Sequence, residues 1–556
     1  MKQFLLRTDV EISVAFRSAK ERGFRGAKGD NPTDIDSPVL RTGKEATVGP
    51  LRGTVPFSLR RKLGQSPLLA AAHALLAASV LFALAPGTAA AQEPSALAAA
   101  AEIEKAVVDA IARAEGSVVA IARVRRPRAD ETAVLEFRPD PFGRVIATHG
   151  GLAPTDPDFV PNQYATGVVI DRQGLILTAY HVLGPDSDYY VTTAKRKVYR
   201  ASVKGADPRS DLAVLAIAAN DLAPITLGDA GLLKKGQIVI ALGNPYAIGR
   251  DGQVSASWGI VANLARKSTA LPDEPDSASR QTLHQFGTLI QTDAKLNLGA
   301  SGGALVNLRG EMVGLTVALA AAPGYEQAAG YAIPIDATFR RAIDVLHEGR
   351  EVEYGFLGVR PANIRPQELL QGQHGVRVQD IVAGTPAARA GLKLDDLITS
   401  VGGVPIHNTD GLMLEVGRQP AGARTRLRIE RSRQPLEIEV ALGKYPVQGK
   451  KIVTAPTPSW RGMRIDYATV LAEDSPAGTG RANVFEDGVA VVEVAEGSAA
   501  WKAGLRPGVV IAQVEQTAVH APQEFRAAVA GRKGPVQVQL TGHDRAQPTV
   551  TISQEP

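Results

Sequence analysis

At 556 residues the chain is too long for a single hydrophobic core and must divide into three or four domains. It contains no cysteine, which excludes disulfides, iron–sulfur clusters and thiolate zinc sites. Its net charge of +5 is concentrated in residues 1–91, which hold 13 Lys+Arg against 7 Asp+Glu. The remainder is therefore close to neutral, and no nucleic-acid-binding surface is indicated.

Residues 1–91 read as an N-terminal extension. Arg60-Arg61-Lys62 precedes an apolar stretch at 67–85, followed by Ala89-Ala90-Ala91-Gln92. A basic segment, an apolar segment and an Ala-x-Ala site are the parts of a secretory signal. The stretch also approaches bilayer-spanning length, so a retained membrane anchor is the alternative. Either reading places the folded part outside the cytoplasm, in the periplasm or cell envelope. Residues 92–115 follow as a linker helix, with Ile103, Val107 and Ile111 at helical spacing.

From 116 to 348 the pattern changes to short apolar strands broken by Gly, Asn and Asp, as β-barrels require. The first strand begins at Ser117-Val118-Val119. Residues 126–163 and 266–286 are polar, irregular loops of the kind that carry function or move. Gly174 to Leu183 is a β-rich run ending near His181, and thirty residues on Asp211 opens the apolar run Leu212-Ala213-Val214-Leu215. Then Leu289-Ile290, the turn Gly299-Ala300-Ser301-Gly302-Gly303 and Ala304-Leu305-Val306 read as strand, tight loop, strand. A serine among glycines is exposed to an approaching substrate, because glycine has no Cβ to block it. A serine hydroxyl needs a base to take its proton and an acid to orient the base. His181 and Asp211 supply both, in the order His, Asp, Ser of chymotrypsin-type enzymes. The amides of Gly299 and Ser301 are placed to converge on a developing oxyanion. After Pro334, the residues Ile335, Phe339, Ile343 and Leu346 predict a helix behind Asp336 as its N-cap.

Residues 354–445 and 460–553 repeat one another. Val376 to Leu392 matches Val489 to Leu505 with a register of 113. Between them lies the linker 446–459, whose Pro446, Pro456 and Pro458 predict a semi-rigid spacer.

These segments resemble the HtrA (Deg) family of trypsin-like serine proteases with C-terminal PDZ domains. The resemblance spans roughly residues 116–553. It rests on Leu177-Thr178 to His181-Val182, Ser210-Asp211-Leu212-Ala213, Ala241-Leu242-Gly243-Asn244-Pro245, Gln291-Thr292-Asp293-Ala294 and Gly330-Tyr331-Ala332-Ile333-Pro334. It implies a mostly β chain, with a chymotrypsin-like double β-barrel protease followed by two small α+β PDZ domains. It implies an ATP-independent envelope endopeptidase acting on unfolded or misfolded proteins through His181, Asp211 and Ser301, without metal or organic cofactor. Homo-oligomers, trimers or their multiples, are the family expectation. The specificity pocket falls on Leu296, Thr316, Val317 and Ala318, which predicts a small apolar P1 residue. Lys295 is the one group nearby that would favour an acidic one. Phe356, Leu357, Gly358 and Val359 look like the loop that grips a peptide C-terminus while the peptide adds as a strand. Gly462-Met463-Arg464-Ile465 is the counterpart in the second repeat, with Arg464 expected in place of the second glycine. Ala300 stands where the superfamily usually has Asn or Asp, and Lys295 where a small residue is expected, which together keep a weakly active, protease-like PDZ scaffold as the competing reading.

Overall fold

A computed structural model of the chain describes residues 96–126, 137–139, 145–147, 161, 163–244, 253–267, 282–297, 299–317, 330–472, 485–541 and 549–554. The apolar stretch 67–85 and most of the loops 126–163 and 266–286 lie outside the described residues. Among the described residues no helix is long and apolar enough to cross a membrane.

Helix α1 (Ala96–Ala114) leads into the first barrel. Val107 and Ile111 pack against the protease core as their spacing predicts, and Ile103 does not. Ala110 and Ala114 are fully buried, while Ile103 is 49% exposed. Only the last turns touch the body, where Arg113 donates to the carbonyls of Leu308 and Arg309. Small alanines let the helix approach closely there, and Leu97 and Ile103, further upstream, are exposed.

Eight strands follow: β1 (Val118–Arg125), the hairpin β2 (Phe137–Pro139) and β3 (Val145–Ala147), β4 (Gln163–Val169), β5 (Leu175–Ala179), β6 (Ser187–Thr192), β7 (Val198–Asp207) and β8 (Leu212–Ile217). The order β7-β6-β1-β4-β5-β8 closes through a β7–β8 pairing into a barrel. Alternating burial along β6 marks a barrel wall, whereas β8 is buried along almost its whole length because other elements cover its outer face.

A second closed barrel is built from β9 (Ile238–Gly243), β10 (Ser255–Arg266), β11 (Leu289–Thr292), β12 (Ala304–Val306), β13 (Met312–Val317) and β14 (Gly330–Pro334), in the order β10-β11-β14-β13-β12-β9. Val239, Ala241, Val261, Ile290, Leu305, Val313 and Ala332 fill its interior. A larger core joins the two barrels, with Ile176, Leu177 and Leu215 from the first and Ile240, Leu242 and Leu315 from the second. Helix α2 (Ala337–His347) starts at Asp336, whose carboxylate accepts from the amides of Thr338 and Phe339. It buries Phe339, Ile343 and Leu346, as their spacing predicts.

Module 1 contains β15 (Gly355–Phe356), β16 (Val359–Asn363), α3 (Pro366–Leu370), β17 (Val376–Ile381), α4 (Pro386–Arg389), β18 (Leu397–Val401), β19 (Val404–Pro405), α5 (Thr409–Gly417), β20 (Arg424–Arg431), β21 (Gln434–Ala441) and β22 (Gly443–Lys444). Then comes β23 (Ile452–Val453). Module 2 contains β24 (Met463–Tyr467), β25 (Val489–Val494), α6 (Ala499–Lys502), β26 (Val510–Val514), β27 (Thr517–Ala518), α7 (Pro522–Val529), β28 (Val536–Leu540) and β29 (Thr549–Ile552). The sheet orders β16-β17-β18-β20-β21 and β24-β25-β26-β28-β29 are the same, and β19 and β27 pair in equivalent places. The internal repeat is thus a repeat of topology.

Two features differ from expectation. The linker between the modules does more than space them: β23 adds to β7 of the first barrel, Ile452 opposite Ala206 and Val453 opposite Gly205. It covers the edge that β6 leaves free, since β6 pairs with β7 only as far as Ala201. The second difference concerns Arg464. Ala387 donates to the Leu357 carbonyl and Val382 to that of Gly358. In module 2, Ala500 donates to Arg461 and Ala495 to Gly462. The equivalent of Gly358 is therefore Gly462, and Arg464 replaces no glycine. Both glycines have positive φ, and a Cβ on either would strike the Thr385 or Ser498 side chain at about 2 Å.

Candidate active site

The ends of β5 and β8 lie side by side, Ala179 opposite Leu212. His181, two residues past β5, and Asp211, one residue before β8, are therefore neighbours. Asp211 holds a left-handed backbone, φ 56°, which Asp tolerates better than most side chains. The Tyr180 amide donates to the Asp211 carbonyl at 2.9 Å and the His181 amide to Asp211 Oδ1 at 2.9 Å. Asp211 Oδ2 lies 2.8 Å from His181 Nδ1. A carboxylate only accepts, so Nδ1 carries the proton and Nε2 is the ring's other, basic nitrogen. Burial pushes the Asp211 carboxyl up, but the His181 charge and hydrogen bonds outweigh it, and the pKa falls below the ordinary carboxylate value.

A buried histidine that the sequence did not single out stands behind this pair. His284 Nε2 lies 3.1 Å from the Ser210 carbonyl and Nδ1 lies 2.7 Å from Thr288 Oγ1. The carbonyl requires Nε2 to donate, so Nδ1 accepts. Burial holds the imidazole below its ordinary pKa, against the Asp211 charge, which keeps this tautomer neutral. The ring stacks on Phe339, centroids 5.5 Å apart.

The turn 299–303 is brought to the same place. Gly302 packs so tightly that a Cβ would lie 2.2 Å from the Thr166 carbonyl, 2.3 Å from Thr178 Oγ1 and 3.3 Å from the Ala179 amide. Residue 302 therefore abuts the end of β5 that carries His181, and only glycine fits. The Ser301 carbonyl accepts from the Thr166 amide at 2.9 Å. Three fully buried threonines brace the loop. Thr178 Oγ1 donates to the Thr166 carbonyl at 2.8 Å. Thr166 Oγ1 donates to the Gly299 carbonyl at 2.7 Å and accepts from the Asn244 amide at 2.9 Å. Thr316 Oγ1 donates to the Ala300 carbonyl at 2.6 Å, which also takes the Gly303 amide at 3.1 Å. With that carbonyl drawn inward, the trans peptide turns the Ser301 N–H the opposite way. Gly299 has φ 93°. Thr166 was not legible as a site residue; its only sequence signal is a polar residue inside the apolar strand β4.

Of the expected pocket residues, Val317 is buried and Leu296 packs partly into the second barrel's core. Thr316 commits its hydroxyl to the Ala300 carbonyl, and Ala318 lies outside the described residues. Lys295 is exposed. In module 1, Leu357 is buried and Gly358 has φ 85°. Val359 is half-buried at the start of edge strand β16, and Phe356 lies edge-on to Tyr445 and Phe485 with centroids 6.3 and 5.7 Å away. Among the described residues no group of three or more His, Cys, Asp or Glu could hold a metal ion.

Residues 165–315 match the model of a trypsin-like peptidase domain and residues 355–442 that of a PDZ domain. The chain is 30% identical over 381 residues to the periplasmic pH-dependent serine endoprotease DegQ of Escherichia coli K12, covering 67% of this chain and 77% of that protein. It is 34% identical over 369 residues to a probable periplasmic serine endoprotease, DegP-like, of Pseudomonas fluorescens, covering 65% and 72%. Among solved structures, the HtrA-type protease AlgW with a decapeptide matches at 25% identity and a TM-score of 0.45, over 61% of this chain and 98% of that one. The chain belongs to the HtrA/DegP family of periplasmic trypsin-like serine endoproteases, with a double β-barrel protease and a PDZ domain.

Proposed function

We propose that this endopeptidase cuts unfolded or misfolded proteins without ATP, with Ser301 as nucleophile, His181 as general base and Asp211 as the group that orients it. The observation that carries the reading is the contact of both Asp211 oxygens with His181, at 2.9 Å to its amide and 2.8 Å to Nδ1. It leaves Nε2 as the base on the ring, while Gly302 brings the serine turn against the same strand end. Proton transfer from Ser301 to His181 lets Oγ attack the substrate carbonyl. The imidazolium then protonates the leaving amine, and water repeats the cycle on the acyl-enzyme. The amides of Gly299 and Ser301 hold the oxyanion, a reading supported for Ser301 by the inward-drawn Ala300 carbonyl of the same peptide plane.

Leu296 and Val317 form a small apolar P1 pocket backed by Thr316. The exposure of Lys295 removes the cation that would have favoured acidic residues. Residues 356–359 bind substrate C-termini, which extend the sheet at β16 and raise the local substrate concentration at the cleft. Module 2 is a second PDZ domain, supported by its shared strand order and the paired Gly358 and Gly462 contacts. The working form is a homo-oligomer, a trimer or a multiple of it. Casein digestion by the wild type beside Ser301→Ala tests the reading. The expected loss is several orders of magnitude, in line with the ~10⁴- to 10⁶-fold effects of removing such nucleophiles. Equal digestion by the two proteins would overturn it.

A further inference from the structure

Asp211 sits at the end of a short, strained turn, and part of what holds that turn comes from the protease–PDZ junction. Tyr354, fully buried and just before β15, donates its phenol to Asp207 Oδ2. The same oxygen accepts from the Ser210 amide at 3.0 Å and the Ser210 hydroxyl at 2.5 Å, and Oδ1 from the Arg209 amide at 3.4 Å. Ser210 is the residue immediately before Asp211. Arg209 is 1% exposed. Its guanidinium carbon lies 3.5 Å from the Tyr445 ring centroid and 5.5 Å from that of Tyr354. Tyr445, just past β22, donates its amide to the Tyr354 carbonyl at 2.7 Å. Chain entry into module 1 and chain exit from it are thus tied together on the turn.

The linker adds a further anchor on the same side. The Tyr180 phenol, beside His181, donates to the Lys450 carbonyl at 3.1 Å. β23 holds β7 just ahead of Asp207. The charged and titratable groups facing the cluster are Arg209 on the turn itself, His284 behind Ser210, and Arg341 of α2, whose guanidinium carbon is 5.7 Å from the Tyr354 ring centroid.

We propose that Tyr354 is a positioning residue for Asp211. Its phenol grips Asp207 and through it Ser210, and so aims the Asp211 carboxylate at His181. The inference rests on the reading of Asp211 as the orienting acid. A left-handed φ at a non-glycine residue costs on the order of 1–2 kcal/mol and persists only where the surroundings hold it. Asp207, carried on Tyr354, bonds the amide and hydroxyl of the adjoining Ser210, whose carbonyl His284 holds. Docking of module 1 therefore sets the aspartate side of the triad.

Steady-state kinetics of the full chain on a short fluorogenic peptide test this, with Tyr354→Phe beside Asp211→Asn and Tyr467→Phe. Tyr467 is a second buried tyrosine, whose phenol meets Gln523 in module 2, and it serves as the control. Tyr354→Phe keeps the ring and loses only the hydroxyl. It is expected to lower kcat about tenfold with KM within about twofold. It should also move the acid limb of kcat/KM to lower pH, because a loosened carboxylate stabilises the His181 imidazolium less. Tyr467→Phe should change neither. A purely structural role would lower thermal stability and leave the acid limb in place, and that result overturns the proposal. So does a wild-type kcat in Tyr354→Phe while Asp211→Asn is inactive, which leaves the triad intact. Full activity in Asp211→Asn overturns the triad reading and this proposal with it. If Tyr354→Phe melts below the assay temperature, Ser210→Ala removes the 2.5 Å bond to Asp207 and should give the same shift in the acid limb; its absence there overturns the proposal equally.

Discussion

Replacing Thr166 by valine keeps the shape of a fully buried side chain and deletes one hydroxyl. Two bonds go with it: the 2.7 Å donation to the Gly299 carbonyl and the 2.9 Å acceptance from the Asn244 amide. An orphaned buried polar group costs about 1–3 kcal/mol. Asn244 is buried and bears that cost in full, whereas Gly299 is half-buried and water recovers part of it. The expected loss of stability is therefore about 2–4 kcal/mol, to be read from urea unfolding or calorimetry. The catalytic effect follows from the freed Gly299 carbonyl, which loosens the Gly299–Ala300 peptide plane and, through the shared Gly299 Cα, the preceding plane whose N–H, the Gly299 amide, is aimed at the oxyanion. Complete loss of one such donor costs about 10²–10³ in kcat. The plane retains the Ala300 amide bond to the Asn297 carbonyl at 3.0 Å, so the expected fall is smaller, about 10- to 100-fold. KM should stay within about twofold, because the bond acts only when the oxyanion forms. Thr166→Ser, which keeps the hydroxyl, should recover most of the rate. A Thr166→Val enzyme that is destabilised but keeps wild-type kcat would refute the reasoning, since the turn would then be held without this threonine.

Three more outcomes follow from the same geometry. Gly358→Ala forces a Cβ to within 2.2 Å of Thr385 at φ 85°, and should weaken capture of C-terminal peptides at least tenfold while leaving cleavage of a short peptide unchanged; peptide affinity by fluorescence anisotropy checks it. Burial raises the Asp207 carboxyl, against its bonds to Ser210 and Tyr354. Above the ordinary carboxylate pKa of about 3.9 the unfolded chain gives up this proton while the folded chain keeps it, so the group's contribution falls as pH rises toward the elevated folded value. Asp207→Asn should accordingly flatten the decline in stability that sets in above the ordinary carboxylate pKa, measured by unfolding at a series of pH values. Fragments of a digested unfolded protein should end mainly in Val, Ala, Ile or Leu, and sequencing that finds cuts chiefly after Asp or Glu would contradict the apolar pocket.

What the sequence reveals depends on how local the cause is. The strand–turn–strand pattern around Gly299–Gly303, the helix behind Asp336 and the 113-residue repeat are written in neighbouring residues, and the double barrel with its β-rich modules follows from them. His181 and Asp211 each stand in a recognisable strand-end setting, and the pairing of Ala179 with Leu212 brings those settings together. Thr166 is different. Its partner Gly299 is 133 residues away, and nothing near Thr166 marks it apart from one polar residue in an apolar strand. Tyr354 on Asp207 and β23 on β7 span still greater distances of unrelated sequence. A buried phenol, a guanidinium between two rings and a two-residue strand have no local period to betray them. The loop of module 2 departs from the register of its repeat for a related reason. Gly462 stands 104 residues after Gly358 rather than 113, and only the matched carbonyls show the shift.

The central claim is that Ser301 is a nucleophile activated by His181. A fluorophosphonate probe attaches covalently to such a serine, and mass spectrometry of the digested adduct locates it. The account predicts a single modified residue, Ser301, with labelling at least ~10³-fold slower in His181→Ala. Labelling of another serine, or undiminished labelling of Ser301 without His181, would contradict it.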